Sequence, residues 1–539
     1  MTLSPRRAAD FLAERLYQAG CRHAFGMPGG EVLTLIDALR KAGIEFTLVK
    51  HENCAGFMAE GVYHRTGAPG ILVATLGPGA MNGINSVVNA YQDRVPLIVL
   101  SGCVDEEEAL TYTHQVMDHA AVFAPITKAT FTLTAGGADA AADKAVCIAM
   151  EGRPGPVFID IPISVADTQT TPTHIRRRPA ASKVAPAQGP DLEQARGWLA
   201  QAERPVMIAG VDAVNDDAGA DIQTFCERYN VPLITTYKAK GIMPETHALA
   251  LGGAGLSPLA DQTLVPFVQS ADLIICAGYD PIEMRPGWRD IWDANRVNVI
   301  DIMAEPNHHY MHQATLNFVA DTGASLQAIG TVATSETWGA GEIEAAQTAL
   351  QKAFPKDEVW GPAAIIDECR KHLPENTLAT ADSGAHRILL SQMWTCYEPR
   401  GLMQSSALCT MGCALPLAMG VKLASPDRPV ISFSGDAGFL MVAGELATAV
   451  EQGLKPIFLV FVDASLSLIE LKQRQRQMQN HAVDFGLHDH AAIARSFGGQ
   501  GFTVATRDEL CSALEQAQNA DTFTLIAATI PRGAYDGRL

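Results

Sequence analysis

The chain has 539 residues, which is long for one hydrophobic core and indicates two to four domains. With 47% hydrophobic and 18% charged residues, its composition is that of a globular protein and excludes general disorder. The net charge of −19 argues against a nucleic-acid partner, because phosphate binding needs clustered Lys and Arg side chains.

The 11 cysteines show no CxxC spacing and predict neither a disulfide framework nor a zinc site. We find no signal-peptide pattern and no apolar run as long as a membrane span, which predicts a cytoplasmic protein without a membrane partner. One dense basic run, Arg176-Arg177-Arg178, lies among Pro, Thr and Ala residues and indicates a solvated linker.

Residues 1–166 alternate between helical and strand patterns. We expect helices at residues 8–19 and 32–42 and strands at 46–49, 71–75, 97–101 and 157–161. This alternation predicts an α/β domain with a parallel sheet. Residues 167–190, rich in Thr, Pro, Ala and Arg, predict a linker.

A second α/β region is predicted at residues 191–334, with strands at 206–209, 233–235, 273–277 and 297–300. Gly210 and Gly278 stand at strand ends, as in nucleotide sites, but without a GxGxxG motif we favour a structural role. Residues 335–356 predict a second linker and 357–539 a third domain. The predicted fold class is therefore α/β, with three doubly wound parallel-sheet domains.

The most informative stretch covers residues 431–473. An apolar strand ends at Gly435-Asp436-Ala437-Gly438, a helical pattern follows, and a second strand at 457–462 ends at Asp463. Ligands of parallel sheets bind outside the carboxyl ends of the strands. Because two acids there would repel phosphate, a magnesium ion between them is the natural partner. The residues alone leave open an ordinary βαβ unit with solvated acids.

The phrase GDAGF, then ELATAV, then Asp463, resembles the GDG…N signature of thiamine diphosphate enzymes of the acetolactate synthase and pyruvate decarboxylase superfamily. Ala437 and Asp463 depart from the usual Gly and Asn, although catabolic acetolactate synthases also carry Asp at the second position. AVDFG at 482–486 and ARSFGGQGF at 494–502 resemble that branch. The resemblance implies magnesium ligands at Asp436, Asp463 and the Ser465 carbonyl, and cofactor contacts at Gly435, Ala437, Gly438 and Leu466.

In the first domain, Glu52 stands at a strand end before an apolar helix. A buried acid there could share a proton, whereas a helix N-terminal Glu favoured by the macrodipole is the simpler interpretation. The phrase KHENCAGFMAEGVYHRTG resembles the HE…A..MA.GYAR segment of the same superfamily. This resemblance implies that Glu52 hydrogen-bonds the aminopyrimidine and favours the tautomer that removes the C2 proton of the cofactor.

Further matches in the first domain extend the implied site. Backbone donors at Gly29 and Gly30 would stabilise the oxyanion of the substrate adduct. THQVMD and APITK match segments that line the substrate channel of acetolactate synthases, with His114 in place of the usual Phe. Cofactor contacts are implied at Pro28, Gly77 and Asn82, and substrate contacts at His114, Gln115 and Lys128.

In the third domain, CTMGCALPLAMG places Met411 where the family has the apolar wedge that bends the cofactor, with a core methionine as the alternative. ADSGAHRILL resembles the diphosphate-contacting segment, in which His386 can donate to phosphate; a surface histidine is the alternative. The resemblance also implies cofactor contacts at Gly384, Ala385 and Cys409, and substrate contacts at Leu466, Ile469 and Lys472.

GYDPIEMRPGW at 278–288 resembles the catabolic acetolactate synthases, which use no flavin, and leaves FAD as a less favoured alternative. The resemblance implies a pyrimidine-binding, a central and a diphosphate-binding domain, in that order. It also implies a homodimer or homotetramer with active sites between subunits. The implied function is a thiamine diphosphate- and Mg²⁺-dependent carboligase acting on pyruvate or a similar 2-oxo acid. A decarboxylase or lyase of the same fold is the alternative.

Overall fold

The computed structural model describes residues 6–171, 178–333 and 336–539, and contains three six-stranded sheets whose neighbouring strands are all parallel. Strands buried on both faces need helices on either side. In the strand Gly70–Ala74, Leu72 and Ala74 enter one hydrophobic cluster and Ile71 and Val73 enter another. The predicted α/β class with three doubly wound sheets is confirmed.

The first domain has one large sheet and a short antiparallel pair. Its strands are β1 Arg6–Arg7, β2 His23–Met27, β3 Glu45–Leu48, β4 Gly70–Ala74, β5 Leu97–Cys103, β6 Ala129–Thr132, β7 Pro156–Pro162 and β8 Gln169–Thr170. Its helices are α1 Ala8–Gln18, α2 Leu33–Ala42, α3 Glu52–Thr66, α4 Pro78–Asn82, α5 Ile84–Gln92, α6 His119–Phe123, α7 Ala138–Met150 and α8 Ile163–Asp167. The large sheet has the order β3-β2-β4-β5-β7-β6, and β1 pairs with β8.

The central domain has strands β9 Pro205–Ala209, β10 Leu233–Thr236, β11 Ala250–Ala254, β12 Leu273–Ala277, β13 Asn298–Met303 and β14 Leu316–Val319. Its helices are α9 Pro190–Gln201, α10 Val211–Asn215, α11 Gly219–Tyr229, α12 Pro258–Gln269 and α13 Thr322–Ile329. The sheet order is β11-β10-β9-β12-β13-β14. Helix α14, Glu342–Ala353, follows and packs against the core that contains the α12 side chains.

The last domain has strands β15 Leu378–Ala381, β16 Leu402–Gln404, β17 Val430–Gly435, β18 Ile457–Val462, β19 Gln500–Val504 and β20 Thr524–Thr529. Its helices are α15 Pro362–His372, α16 Ala385–Met393, α17 Ala414–Ala424, α18 Asp436–Val442, α19 Leu446–Glu451, α20 Ser467–Gln475, α21 His490–Ser496 and α22 Arg507–Gln518. The sheet order is β16-β15-β17-β18-β20-β19.

The first and last domains share one topology. When the six strands of each large sheet are numbered in chain order, their order across the sheet is 2-1-3-4-6-5 in both domains. The central sheet instead adds strands outward in both directions from its first strand. Ligands of such sheets bind at the carboxyl ends of the strands, where the direction of strand addition reverses. That crevice lies between β2 and β4 in the first domain and between β15 and β17 in the last.

Helices α3 and α17 join the first and last domains at very short range. A Cβ at Gly420 would overlap the carbonyl oxygen of Met58, and a Cβ at Gly61 would overlap that of Leu417. One hydrophobic cluster contains residues of both helices and of both sheets. The glycines therefore allow the two helix backbones to touch, which fixes α3 and its N-terminal Glu52 against the last domain.

Two local features differ from the sequence-based expectations. The helical pattern after the GDAG turn is broken by a 3-10 turn at Ala443–Glu445, where the Glu445 carboxylate accepts from the backbone N–H groups of Lys50 (2.8 Å) and His51 (3.0 Å). The predicted second linker contains helix α14. Part of the predicted first linker, with Arg176 and Arg177, lies outside the described residues, and the domain boundaries stay predictions.

Candidate active site

Two carboxylates meet at the carboxyl ends of the adjacent strands β17 and β18. Asp436 Oδ2 accepts from the backbone N–H groups of Asp463 (3.1 Å) and Ala464 (2.8 Å), and its Oδ1 accepts from that of Ala437 (2.9 Å). Burial, and secondarily the charge of Asp436, raises the pKa of Asp463 to about 6, and burial also raises the pKa of Asp436. Two desolvated carboxylates that repel each other are a suitable pair for a divalent cation.

The turn that follows β18 wraps around this pair. The Ser467 hydroxyl donates to Asp463 Oδ2, and Asp463 Oδ1 accepts from the Ser465 N–H at 3.3 Å. The Ser465 hydroxyl in turn donates to Glu470 Oε2 at 2.6 Å. These bonds orient the Asp463 carboxylate, and the metal roles of Asp463 and of the Ser465 carbonyl stay predictions.

A cavity of about 190 Å³ lies beside the acids, at the crevice between β15 and β17. It brings together most of the third-domain residues that the sequence predicted: Gly384, Ala385, His386, Cys409, Met411, Gly435, Asp436, Ala437, Gly438, Asp463, Ser465, Leu466 and Ile469. Ser383, Phe461 and Tyr535 also line it and were not predicted. Tyr535 is close to the end of the chain, and no motif marked it.

His386 is buried in the wall of this cavity and not on the surface. Its ring stacks on Phe461 with centroids 5.4 Å apart, and its Nε2 has no hydrogen-bond partner among the described residues. Burial lowers the pKa of His386 to about 3, so the ring is neutral at physiological pH. A buried ring nitrogen without a partner in a cavity wall is available to a polar ligand.

The loop that carries Cys409 and Met411 is held by Asp382, which sequence reasoning missed. Asp382 accepts from the backbone N–H groups of Gly412 (2.9 Å) and Cys413 (3.0 Å), and burial raises its pKa to about 6. The guanidinium of Arg387 donates to Cys409 Sγ at 3.2 Å. Asp382 is the second residue of the ADSG phrase and directly follows strand β15. An acid at the carboxyl end of a strand was the signal that could have identified it.

Glu52 begins helix α3 and is buried, 4% exposed. Asn82 Nδ2 donates to its Oε2 at 3.0 Å, and a Cβ at Gly79 would lie 3.2 Å from its Oε1. The structure thus joins Glu52 with the predicted Asn82 in the first domain. Glu52 is not among the residues that line the cavity within one chain.

Gly77 lies against Gln115 and is hydrogen-bonded to a histidine that was not predicted. A Cβ at Gly77 would lie 3.0 Å from the Gln115 carbonyl, and Gly77 has a φ of +65°. His119 Nε2 accepts from the Gly77 N–H at 3.1 Å, and its Nδ1 lies 2.8 Å from Asp160 Oδ1. The buried His119–Asp160 pair therefore fixes the conformation of this loop.

Pro28, Gly29 and Gly30 follow β2 at the same edge of the first sheet. A Cβ at Gly29 would overlap the hydroxyl of Thr75, which donates to Glu31. The glycine turn therefore lies directly against the end of β4, across the crevice.

Three of the predicted substrate residues, Lys128, His114 and Lys472, do not line the cavity between β15 and β17. Lys128 precedes β6 at the opposite, amino-terminal edge of the sheet, where it donates to the Glu151 carbonyl and burial lowers its pKa. His114 is exposed beside Tyr112. Lys472 is exposed on α20, one turn after Ile469. Within one chain Lys128 does not join the other predicted pocket residues, and these three roles stay predictions.

The strand-end glycines of the central domain pack on each other. A Cβ at Gly210 would lie 2.5 Å from the Gly278 carbonyl, and one at Gly278, which has a φ of +59°, would overlap the Ala213 N–H. Asp280 follows at this edge and pairs with Arg94 at 3.0 Å. The close backbone packing gives these glycines the structural role that the sequence favoured; the expectation about FAD stays a prediction.

Family models of the thiamine pyrophosphate enzymes match all three domains: the N-terminal TPP binding domain at residues 6–122, the central domain at 192–329 and the C-terminal TPP binding domain at 382–528. The chain belongs to this family and is a thiamine diphosphate-dependent enzyme. The last match includes Met411, Asp436 and Asp463, which line one cavity, and Asp382, which holds the Met411 loop.

Within this family the chain is of the acetolactate synthase type. It is 31% identical to the acetolactate synthase of Bacillus subtilis, over 97% of this chain and 93% of the relative. The catabolic acetolactate synthase of Raoultella terrigena is 27% identical, over 97% and 94%. The acetolactate synthase isozyme 1 large subunit of Escherichia coli is 31% identical, over 86% and 83%. The predicted superfamily, class of enzyme and thiamine diphosphate cofactor are confirmed. Among the described residues, no helix is long and apolar enough to cross a bilayer.

Proposed function

We propose that this enzyme is a Mg²⁺-dependent carboligase that decarboxylates pyruvate, or a similar 2-oxo acid, and joins the product to a second carbonyl compound. The observation that supports this most is a pair of carboxylates, the buried Asp436 and the partly buried Asp463, on a cavity that Met411 also lines. The relatives named acetolactate synthase, which match nearly the whole chain, support the carboligase reaction over simple decarboxylation.

The metal ion would be held by the side chains of Asp436 and Asp463 and by the carbonyl of Ser465. A hard cation such as Mg²⁺ prefers oxygen ligands of this kind together with phosphate oxygens. The fit is supported by the raised pKa of Asp463, because a bound cation would remove the repulsion between the two carboxylates.

The diphosphate would lie between the metal and the wall that contains His386. The Nε2 of its neutral ring has no hydrogen-bond partner in the part of the chain that the structure describes, and in the Nε2–H tautomer it would donate to a phosphate oxygen. The first N–H groups of helix α16, which begins at Ala385, face the same cavity. Backbone N–H groups at a helix N-terminus favour an anion.

When bound, thiamine diphosphate supplies the carbanion that attacks the 2-oxo acid and stabilises the decarboxylated product. The Glu52 carboxyl would hold a hydrogen bond to the aminopyrimidine, while Asn82 keeps that carboxyl in place. Met411 would supply apolar surface beneath the cofactor. The backbone N–H groups of Gly29 and Gly30 would donate to the developing oxyanion of the substrate.

We also propose a homodimer or homotetramer in which each active site is shared by two subunits. Among the described residues, all those that line the cavity belong to residues 383–535, and Glu52 is not one of them. Mixing two inactive variants, Glu52→Gln and Asp436→Asn, tests this. A mixed dimer would contain one intact site if the sites are shared, so activity returns on subunit exchange; sites within single chains would leave the mixture inactive.

The reaction is tested by measuring carbon dioxide released from pyruvate and acetolactate formed in the same tube, with and without thiamine diphosphate and Mg²⁺. We expect cofactor-dependent release with about one acetolactate per carbon dioxide, and loss of both in Asp463→Ala. The exposed Asp521→Ala, near Lys455, is the matched control and keeps activity. Free aldehyde without acetolactate would favour a decarboxylase. No release would direct the search to other 2-oxo acids and 2-hydroxy ketones.

A cytoplasmic location is part of the proposal. Among the described residues, which include all 11 cysteines, no disulfide bond forms, and seven of the cysteines are buried. A chain with many cysteines and no disulfide bond is typical of a reducing compartment. Expression of a fluorescent fusion and fractionation of the host would test the location.

A further inference from the structure

The central domain contains a cluster of metal-ligating side chains outside the active site. Cys276 on β12 and Asp301 on β13 are directly paired across the two parallel strands, so their side chains point to the same face. His312 comes from the segment between β13 and β14. One ligand atom from each of these three residues lies within 4.8 Å of the others.

All three side chains are buried, with 0% of Cys276, 1% of Asp301 and 5% of His312 exposed. Their hydrogen bonding is incomplete. His312 Nε2 lies 3.2 Å from Asp301 Oδ2, which also accepts from Asn307 Nδ2 at 2.7 Å. Asp301 Oδ1 and His312 Nδ1 have no partner among the described residues. Buried polar atoms of this kind are rare, and a bound metal ion would give both of them a role in one site.

The spacing of the ligand atoms favours coordination. His312 Nε2 and Asp301 Oδ2 lie 3.2 Å apart, which is the separation of two ligand atoms on one tetrahedral ion with bonds of about 2.0 Å. With the ion bound, Nε2 would carry the lone pair of the ring and the imidazole proton would lie on Nδ1. Tyr279 stacks on this ring with centroids 5.0 Å apart and restricts its rotation.

His309, which is near His312, is not a suitable fourth ligand. Its Nδ1 accepts from the Met311 N–H at 2.9 Å, so its proton is on Nε2 and no free lone pair remains. A water molecule could fill the fourth position. A cavity of about 270 Å³, lined by Asp301, Asn307 and His312 among others, gives access to the cluster.

We propose that Cys276, Asp301 and His312 bind a transition metal ion of the Zn²⁺ class. A thiolate, an imidazole and a carboxylate form a ligand set that suits Zn²⁺ and does not suit Mg²⁺ or Ca²⁺. The ion ties the segment between β13 and β14 to the middle of the central sheet. The sequence did not predict this site, because its ligands come from two strands and a loop and form no CxxC motif.

Co²⁺ is the probe that tests the site, because Co²⁺ bound to a thiolate absorbs in the near ultraviolet and Co²⁺ bound by oxygen ligands alone does not. The purified full-length protein, treated with a chelator, is titrated with Co²⁺. We expect a thiolate-to-metal band that saturates at about one equivalent per chain. We also expect Zn²⁺ to abolish the band and to raise the thermal unfolding midpoint.

Variants show which cysteine gives the thiolate-to-metal band of Co²⁺. Cys276→Ser should remove this band, and His312→Gln should weaken Co²⁺ binding. Cys226→Ser is the matched control, because Cys226 is also buried in the central domain but lies in a different cluster. Cys409→Ser tests the active-site cavity, and Cys511→Ser tests a second candidate group formed with Glu368 and His372.

The wild-type titration decides the question even if Cys276→Ser does not fold. No thiolate band in the wild-type protein would overturn the proposal, as would a band that persists in Cys276→Ser or disappears in Cys409→Ser or Cys511→Ser. Because none of these readouts uses catalysis, the result does not depend on the proposed carboligase activity.

Discussion

Asp382→Asn should weaken cofactor binding without removing any residue that the proposed mechanism uses. The Asp382 carboxylate is fully buried and accepts one backbone N–H with each oxygen, from Gly412 at 2.9 Å and from Cys413 at 3.0 Å. These bonds hold the loop that presents Met411 to the cavity. Asn has the same shape, but its side-chain amide has only one acceptor oxygen. One of the two backbone N–H groups, of Gly412 or Cys413, would therefore face the NH₂ group, which is itself a donor.

The expected cost follows from that single lost acceptor. A buried donor left without a partner costs about 1–3 kcal/mol. If this cost falls on the loop conformation that binds the cofactor, the apparent Kd for thiamine diphosphate rises about 5- to 150-fold, because about 1.4 kcal/mol corresponds to a factor of ten. At pH 7.5 the wild-type carboxyl group is ionised, since burial raises its pKa only to about 6.

Titration calorimetry with thiamine diphosphate at saturating Mg²⁺ measures this effect. Asp367→Asn is the matched control: Asp367 is also buried in the same domain, but it pairs with the side chains of Lys371 and Arg507. It should lower thermal stability and leave the Kd close to the wild-type value. The reasoning is refuted if Asp382→Asn binds like the wild type, or if both variants lose the same affinity.

Three further changes test other parts of the molecule. Glu52→Gln should reduce turnover about 10²- to 10⁴-fold while Mg²⁺-dependent cofactor binding is mostly kept; unchanged turnover would remove Glu52 from the mechanism. The added Cβ of Gly420→Ala would overlap the Met58 carbonyl, so urea unfolding should show a free energy of unfolding lower by about 1–3 kcal/mol. Gly197→Ala in helix α9 is the control and should not destabilise the protein, because open space surrounds Gly197. Equal effects of the two substitutions would contradict the packing argument. His386 is neutral when folded, with its pKa lowered to about 3 by burial, but protonates near pH 6.5 when unfolded. Stability should therefore fall by about 1.4 kcal/mol per pH unit as the pH drops through this window, and His386→Asn should lose that contribution in unfolding titrations at several pH values; an unchanged pH slope would argue against a buried neutral ring.

The sequence was most informative about features that depend on residues close together along the chain. The predicted strands at 71–75, 273–277 and 457–462 match β4, β12 and β18 within about one residue, because a buried strand is a short continuous apolar run. The phrase around Asp436 predicted the acids, the turn and the class of cofactor together. The helix break at Ala443–Glu445 was not predictable, since the Glu445 carboxylate there accepts from the backbone N–H of Lys50, far away in the sequence.

The sequence by itself therefore determined the α/β class, the family, and the chemical types gathered around Asp436, Met411 and Glu52. Only the tertiary structure decided which residues meet. It placed Tyr535 in the cavity, held the Met411 loop with Asp382, set Lys128 at the opposite edge of the first sheet, and paired Cys276 with Asp301. The physical reason is that these contacts depend on strand order and direction, which arise from packing between distant segments and leave no periodic pattern along the chain.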